Sequence, residues 1–146
     1  MVREHPVERS LAELGMSATL YGVFSRGLLT GSKPAGPRDM RAHLPRFAGD
    51  NGAKNAKVVA DLQAFATARQ MTPAQVLVAW TLAKQPTLVP VIGARTRWQL
   101  EDALGALDKP LSPTDVAALE ELVPPTAIVG TRYMEEQMKH LDSEKS

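Results

Sequence analysis

Two short stretches carry residue types able to hold an anionic, flat-ringed ligand. The first is Ile92-Gly93-Ala94-Arg95-Thr96-Arg97, where an apolar run ends in a glycine turn and meets a helix start. Backbone N–H groups at a helix N-terminus lack intrahelical partners and carry partial positive charge. An anion seated there gains hydrogen bonds without further machinery. Arg95 and Arg97 add formal charge, and a planar guanidinium suits phosphate. Gly93 lets the backbone come close to a ligand. The pattern reads as a phosphate site; a surface turn with two solvated arginines has the same local sequence.

The second stretch is YGVFSRGLLTG, Tyr21 to Gly31. An apolar run leads directly into a Ser-Arg-Gly loop. Tyr21 offers an aromatic face to a flat ring, or is an ordinary core or rim tyrosine. Arg26 is a phosphate clamp or a salt-bridge partner, and spacing leaves both open. Acid–base groups are sparse. His5, His43 and His140 fall in the lead-in, a long loop and the tail, and read as surface histidines.

Composition narrows the classes. The chain has 146 residues, 44% hydrophobic and 23% charged, which suits one ordinary globular domain. A net charge of +1, with Lys and Arg scattered, gives no basic stripe for nucleic acid. There is no cysteine, so disulfides, iron–sulfur clusters and thiolate zinc sites are excluded. That fits a cytoplasmic protein. No metal site is expected. The start, MVREHPVERS, has no apolar core for a signal peptide, and Val76–Ala83 is too short to cross a bilayer.

The elements that must position the two stretches follow from start and stop signals. Val7–Leu14 predicts a helix stopped by Gly15. Ala18–Phe24 predicts a strand, and Ser25 to about Lys54 an irregular stretch. Val58, Val59, Leu62, Phe65 and Ala66 share one face of a helix from about Asn55 to Arg69. Thr72-Pro73-Ala74-Gln75 opens the next helix with a capping box, burying Val76, Leu77, Trp80 and Leu82. Leu88–Ile92 has the pattern of a strand covered on both faces. Thr96 caps a helix to about Ala106, packing Leu100, Ala103 and Leu104. Ser112-Pro113-Thr114-Asp115 opens another, ending before Pro124-Pro125, and a last short helix is predicted near Met134–Leu141. Asp142–Ser146 reads as a flexible tail. Strands separated by helices imply parallel β with α crossovers, an α/β class.

LYGVFSRGLLTG, the LPRF segment followed by Asn51 and Asn55, the run from Thr72 to Leu119, and VGTRYMEEQMKHLDSE together resemble the aldo-keto reductase family. The similarity runs from about Leu11 onward, with motifs in the family's order and spacing. The resemblance implies a (β/α)₈ TIM barrel with NADPH, or NADP in its oxidised form, laid across the C-terminal rim. Ala18–Phe24 matches strand seven and Leu88–Ile92 strand eight, where barrels of this kind often bind phosphate. Tyr21 matches the residue that stacks on nicotinamide. Val23, Phe24, Ser25 and Arg26 match the loop around the pyrophosphate. Gly93 and Arg95 match positions near the 2′-phosphate, and Gln99 one beside the adenine. Asp102 and Ala103 stand in place of the family's Glu-Asn pair. Asp102 is a methylene shorter, and Ala103 lacks the polar contacts of Asn, each worth about 1 kcal/mol.

The family's catalytic Asp, Tyr, Lys and His come from early strands, so the resemblance implies no catalytic residue here. Residues 1–146 are then one partial domain, the C-terminal part of an incomplete barrel that closes with about 250 residues. Its edges and one face of Leu88–Ile92 stay open, favouring association or aggregation. A small carbonyl substrate is expected only when the rest of the barrel is supplied; neither nucleic acid nor membrane is an expected partner. A non-catalytic nucleotide-binding module and a non-functional remnant are the alternatives. The Arg38–Asp50 loop and the Gly130–Met134 tail are either rim-lining segments, or a mobile surface loop and a packing tail.

Overall fold

The computed structural model describes residues 6–141; the predicted flexible tail, Asp142–Ser146, and His5 lie outside the described residues. The chain opens with helix α1, Pro6–Leu14. Gly15 stops it at φ +62, and Met16 N–H donates to Leu11 O at 2.9 Å, the left-handed stop that glycine favours.

Strand β1 is Ala18–Leu20, and strand β2 is Leu88–Pro90. They pair in parallel, with Ala18 opposite Leu88 and Leu20 opposite Pro90. β1 is shorter than the predicted Ala18–Phe24. Gly22 turns the chain at φ +79, so Val23 and Phe24 leave the sheet. β2 loses its partner at the same level, although Val91 N–H still donates to Leu20 O at 2.8 Å.

The long connection between the strands carries helices α2, Gly49–Ala68, and α3, Pro73–Lys84. α2 begins before the predicted Asn55. Its first turn, Gly-Asp-Asn-Gly, is a poor helix sequence, but Gly52 N–H donates to Ala48 O at 3.0 Å. A Cβ at Gly52 would stand 2.5 Å from Phe47 O, so the entry depends on that close approach. The expected irregular stretch is correspondingly shorter and contains two 3-10 helices, Ser25–Gly27 and Met40–His43.

α3 starts at the predicted capping box of Thr72 and Gln75. It is the central helix, with Val76, Leu77, Val78, Ala79 and Thr81 all buried and Trp80 and Leu82 partly so. Leu62 and Val76 are fully buried, each stabilising the fold by about 2 kcal/mol.

Helix α4, Arg97–Leu104, follows β2 and runs into a 3-10 turn, Gly105–Asp108. Its packing meets the prediction at Ala103, which is buried with Ala106, and corrects it at Leu100 and Leu104, which face outward. Small side chains let this element lie close to α3; a Cβ on Gly105 would meet Gln75 Nε2 at 2.7 Å. Helix α5, Pro113–Leu122, has its capping box at Ser112 and Asp115. The last helix, α6, covers only Glu135–Met138.

The helices cover one face of the sheet. On the other, Thr19, Tyr21, Val89 and Val91 are exposed, Val89 by 52% and Val91 by 50%. Double covering, which the apolar composition of Leu88–Ile92 suits, is therefore not met. Among the described residues each strand is paired on one side only.

Candidate cofactor cleft

Parallel strands send their following loops to one end of the sheet, where ligands of such folds collect. The loops after β1 and β2 meet there around an open cleft of about 1190 Å³. Tyr21, Val23, Phe24, Ser25 and Arg26 line it from the first loop, and Gly93, Arg95 and Gln99 from the second. Eight of the nine sequence-predicted residues thus share one cavity.

The first loop is held in an uncommon conformation. Ser25 (φ +48) and Arg26 (φ +57) are both left-handed, followed by Gly27 at φ +86. A left-handed non-glycine residue costs about 1–2 kcal/mol, and such strain collects at binding sites. Hydrogen bonds hold the loop there: Gly27 N–H donates to Phe24 O at 2.9 Å and Leu28 N–H to Ser25 O at 3.1 Å.

Behind the loop, Arg41 acts as a brace. Its Nη2 donates to Asp39 Oδ2 at 2.7 Å and to Lys33 O at 3.0 Å. Its Nη1 donates to Ser32 Oγ at 2.9 Å and Arg26 O at 3.2 Å. Hydrogen bonding from the Arg41 side chain, then from the Ala35 and Arg41 backbone, holds the Asp39 carboxyl well below the usual carboxylate range.

At the second loop the capping groups are the chain's own. Thr96 Oγ1 accepts from Gln99 N–H at 3.2 Å, and Gln99 Oε1 accepts from the N–H groups of Arg95 (2.8 Å) and Thr96 (3.3 Å). The sequence expectation of N–H groups awaiting an anion is corrected for these three donors. At this turn the cation that lines the cleft is the Arg95 guanidinium. Arg97 does not line the cleft: its Nε pairs with Glu101 Oε1 at 2.7 Å on the exposed face of α4, because the i and i+4 positions share that face.

Asp102 is the one predicted site residue outside the cavity lining. Its Oδ2 accepts from Thr72 Oγ1 at 2.9 Å and its Oδ1 from Gln75 Nε2 at 3.3 Å. It therefore ties α4 to the start of α3. The methylene missing relative to Glu keeps the carboxylate close to its own helix and within reach of α3.

One of the two sequence readings of the Arg38–Asp50 and Gly130–Met134 segments made them rim lining, but it singled out none of Arg46, Arg132 or Tyr133, which line the cleft. Arg26, Arg41, Arg46, Arg95 and Arg132 all line the cleft, against a single carboxylate, Asp39. Five guanidiniums around one acid make a strongly positive cavity. Local pattern pointed to Arg26 and Arg95 singly; that they converge with Arg41, Arg46 and Arg132 depends on contacts between separate segments. Among the described residues no group of three or more His, Cys, Asp or Glu could hold a metal ion. Among them too, no helix is long and apolar enough to cross a membrane.

The model of the Aldo/keto reductase family matches residues 1–124; the chain belongs to that family. It is 36% identical over 124 residues to the aldo-keto reductase str7 of Strobilurus tenacellus, covering 82% of this chain and 37% of that protein. It is 32% identical over 133 residues to the aldo-keto reductase yakc [NADP(+)] of Schizosaccharomyces pombe, covering 87% of this chain and 38% of that one. The solved glycerol dehydrogenase AKR11B4 of Gluconobacter oxydans superposes with a TM-score of 0.68 at 22% identity, over 82% of this chain and 38% of its own. That likeness shows the fold of the part covered, which is consistent with a portion of the barrel expected from the sequence. The chain thus spans less than two fifths of the length of these relatives.

Proposed function

We propose that these residues form the nucleotide-binding rim of an NADPH-dependent oxidoreductase that reduces aldehydes or ketones. The observation that carries this reading is the cleft itself: loops from two adjacent parallel strands converge on a cavity with five arginines and an exposed aromatic ring. A phosphate-rich, flat-ringed dinucleotide matches that lining in charge and shape. The name of the fission-yeast relative, which carries NADP(+), supports the choice of dinucleotide.

In this reading Tyr21, 63% exposed, presents its face to the nicotinamide. Val23, Phe24, Ser25 and Arg26 hold the pyrophosphate, and Gly93 and Arg95 the 2′-phosphate. Gln99 stands beside the adenine, and Asp102 acts on the site only through the seating of α4. When bound, the cofactor supplies a hydride. Reduction of a carbonyl also needs a positioned proton donor, and we assign that group to barrel strands outside these residues. The same strands would cover Thr19, Val89 and Val91 and pair with the open edges of β1 and β2.

Titration of the chain with NADPH tests the reading, followed by tryptophan fluorescence. Saturable binding is expected, tighter for NADPH than for NADH, with no carbonyl turnover by this chain alone. Absence of saturable binding overturns the proposal.

A further inference from the structure

The wall of the cleft facing the Ser25–Gly27 loop is built by the segment after α5. Asn55 pins that segment at Val129. Arg46 Nε donates to Gly130 O at 3.2 Å, while its Nη1 donates to Ser25 Oγ at 3.1 Å. One guanidinium therefore joins the segment to the loop. Three residues on, the Arg26 guanidinium lies over the Tyr133 ring, 5.0 Å from its centre. Arg132 and Tyr133 both line the cavity.

We infer that Arg132 and Tyr133 complete the cofactor site from the C-terminal side, forming a second wall that holds the pyrophosphate of the dinucleotide. This rests on the reading of the cleft as an NADPH site. The chemistry of the stack supports it. A guanidinium over an aromatic face is held by the ring's quadrupole and needs no oxygen acceptor. Tyr133 thus holds Arg26 in place while leaving it able to donate to a phosphate. Orientation matters because Arg26 stands on a left-handed backbone and is itself exposed, so few other contacts fix it. Arg132 adds charge on the same side, and each charged donor on a phosphate is worth more than a neutral one. Arg46, bound to Gly130, and Tyr133 reach Ser25 and Arg26, the loop read as the holder of the pyrophosphate. The wall's ligand is accordingly the pyrophosphate, not the adenosine end.

The test compares NADPH with adenosine 2′-monophosphate, which lacks the pyrophosphate. Titrations use the unmodified chain, Arg132→Ala, Tyr133→Ala and Tyr133→Phe, each with its thermal melt. Arg132→Ala and Tyr133→Ala are expected to weaken NADPH by about tenfold while leaving the monophosphate within about twofold. Tyr133→Phe, which keeps the ring, binds as the unmodified chain does. If an alanine variant loses its cooperative melt, Arg132→Gln, which keeps most of the side-chain stem, takes the place of Arg132→Ala, and Tyr133→Leu that of Tyr133→Ala. NADPH binding unchanged in the variants, or both ligands weakened alike, overturns the second wall and leaves the cofactor reading standing. No saturable NADPH binding by the unmodified chain overturns both.

Discussion

Asn55 and Val129, 74 positions apart, form a reciprocal pair. Asn55 Nδ2 donates to Val129 O at 2.9 Å, and Val129 N–H donates to Asn55 Oδ1 at 2.9 Å. Asn55 is fully buried, and its Nδ2 also donates to Arg46 O at 2.9 Å. The carboxamide thus stands in for a strand, joining the loop after the first 3-10 helices to the segment after α5. Asn55→Ala removes the partner of all three backbone groups. Stranded buried polar groups cost about 1–3 kcal/mol each, so a loss of about 3 kcal/mol in urea denaturation is expected. A loss under about 1 kcal/mol contradicts this role.

Gly130 and Gly15 are both left-handed, at φ +89 and +62, but their surroundings differ. A Cβ on Gly130 would stand 2.9 Å from Pro45 O and 3.0 Å from Asn51 Nδ2, whereas one on Gly15 meets nothing within 4 Å. Gly15→Ala should cost about 1 kcal/mol from backbone strain alone. Gly130→Ala adds a clash with backbone and should cost at least twice as much. Equal melting temperatures for the two variants would contradict the packing described.

The Asp39–Arg41 brace makes a pH dependence. Asp39 titrates below its ordinary value because Arg41 hydrogen-bonds its ionised form. The folded state therefore binds this proton less readily than the unfolded chain does. The stabilisation is full at neutral pH and declines as pH falls below about 4, the ordinary carboxylate value. Asp39→Asn removes it. The gap in melting temperature between the two proteins should be widest near neutrality and narrow steadily on acidification. A gap independent of pH contradicts the assignment.

Arg95 and Arg97 are two positions apart but only Arg95 lines the cleft. Arg95→Ala should weaken NADPH by ten- to a hundredfold, the loss of a charged hydrogen bond worth about 1.5–3 kcal/mol, with NADH little changed. Arg97→Ala should leave both affinities within about twofold, since it removes only an exposed helix pair. Equal effects from the two substitutions, read by fluorescence titration, contradict the geometry.

The helix starts were legible because their signals are local. Thr72 with Gln75, Thr96 with Gln99, and Ser112 with Asp115 each place a capping side chain three residues from its partner, and all three boxes form. The two strand-following loops were legible for the same reason. What escaped depends on distant contacts. The start of α2 depends on Gly52 lying against Phe47, against the helix propensity of its first turn. The exposure of Leu100 and Leu104 reflects small residues turned toward α3, a preference of the neighbour and not of the helix. The roles of Arg46, Arg132 and Tyr133 follow from Asn55 folding the C-terminal segment back on the chain. No pattern within a window of residues encodes that return. Asp102 was placed by its alignment with the family's carboxylate, yet its partners lie on α3.

The parallel register also bears on the order in which the parts are expected to form. Ala18 meets Leu88 only after the chain has passed through α2 and α3, so pairing must overcome the entropy of a long closure. The helices need only nearby residues, and local structure forms faster than distant pairing. The sheet is then expected to pair against helices that form more readily. The two loops that make the cleft hang from its ends, so the cleft is expected to take shape only after the strands have paired.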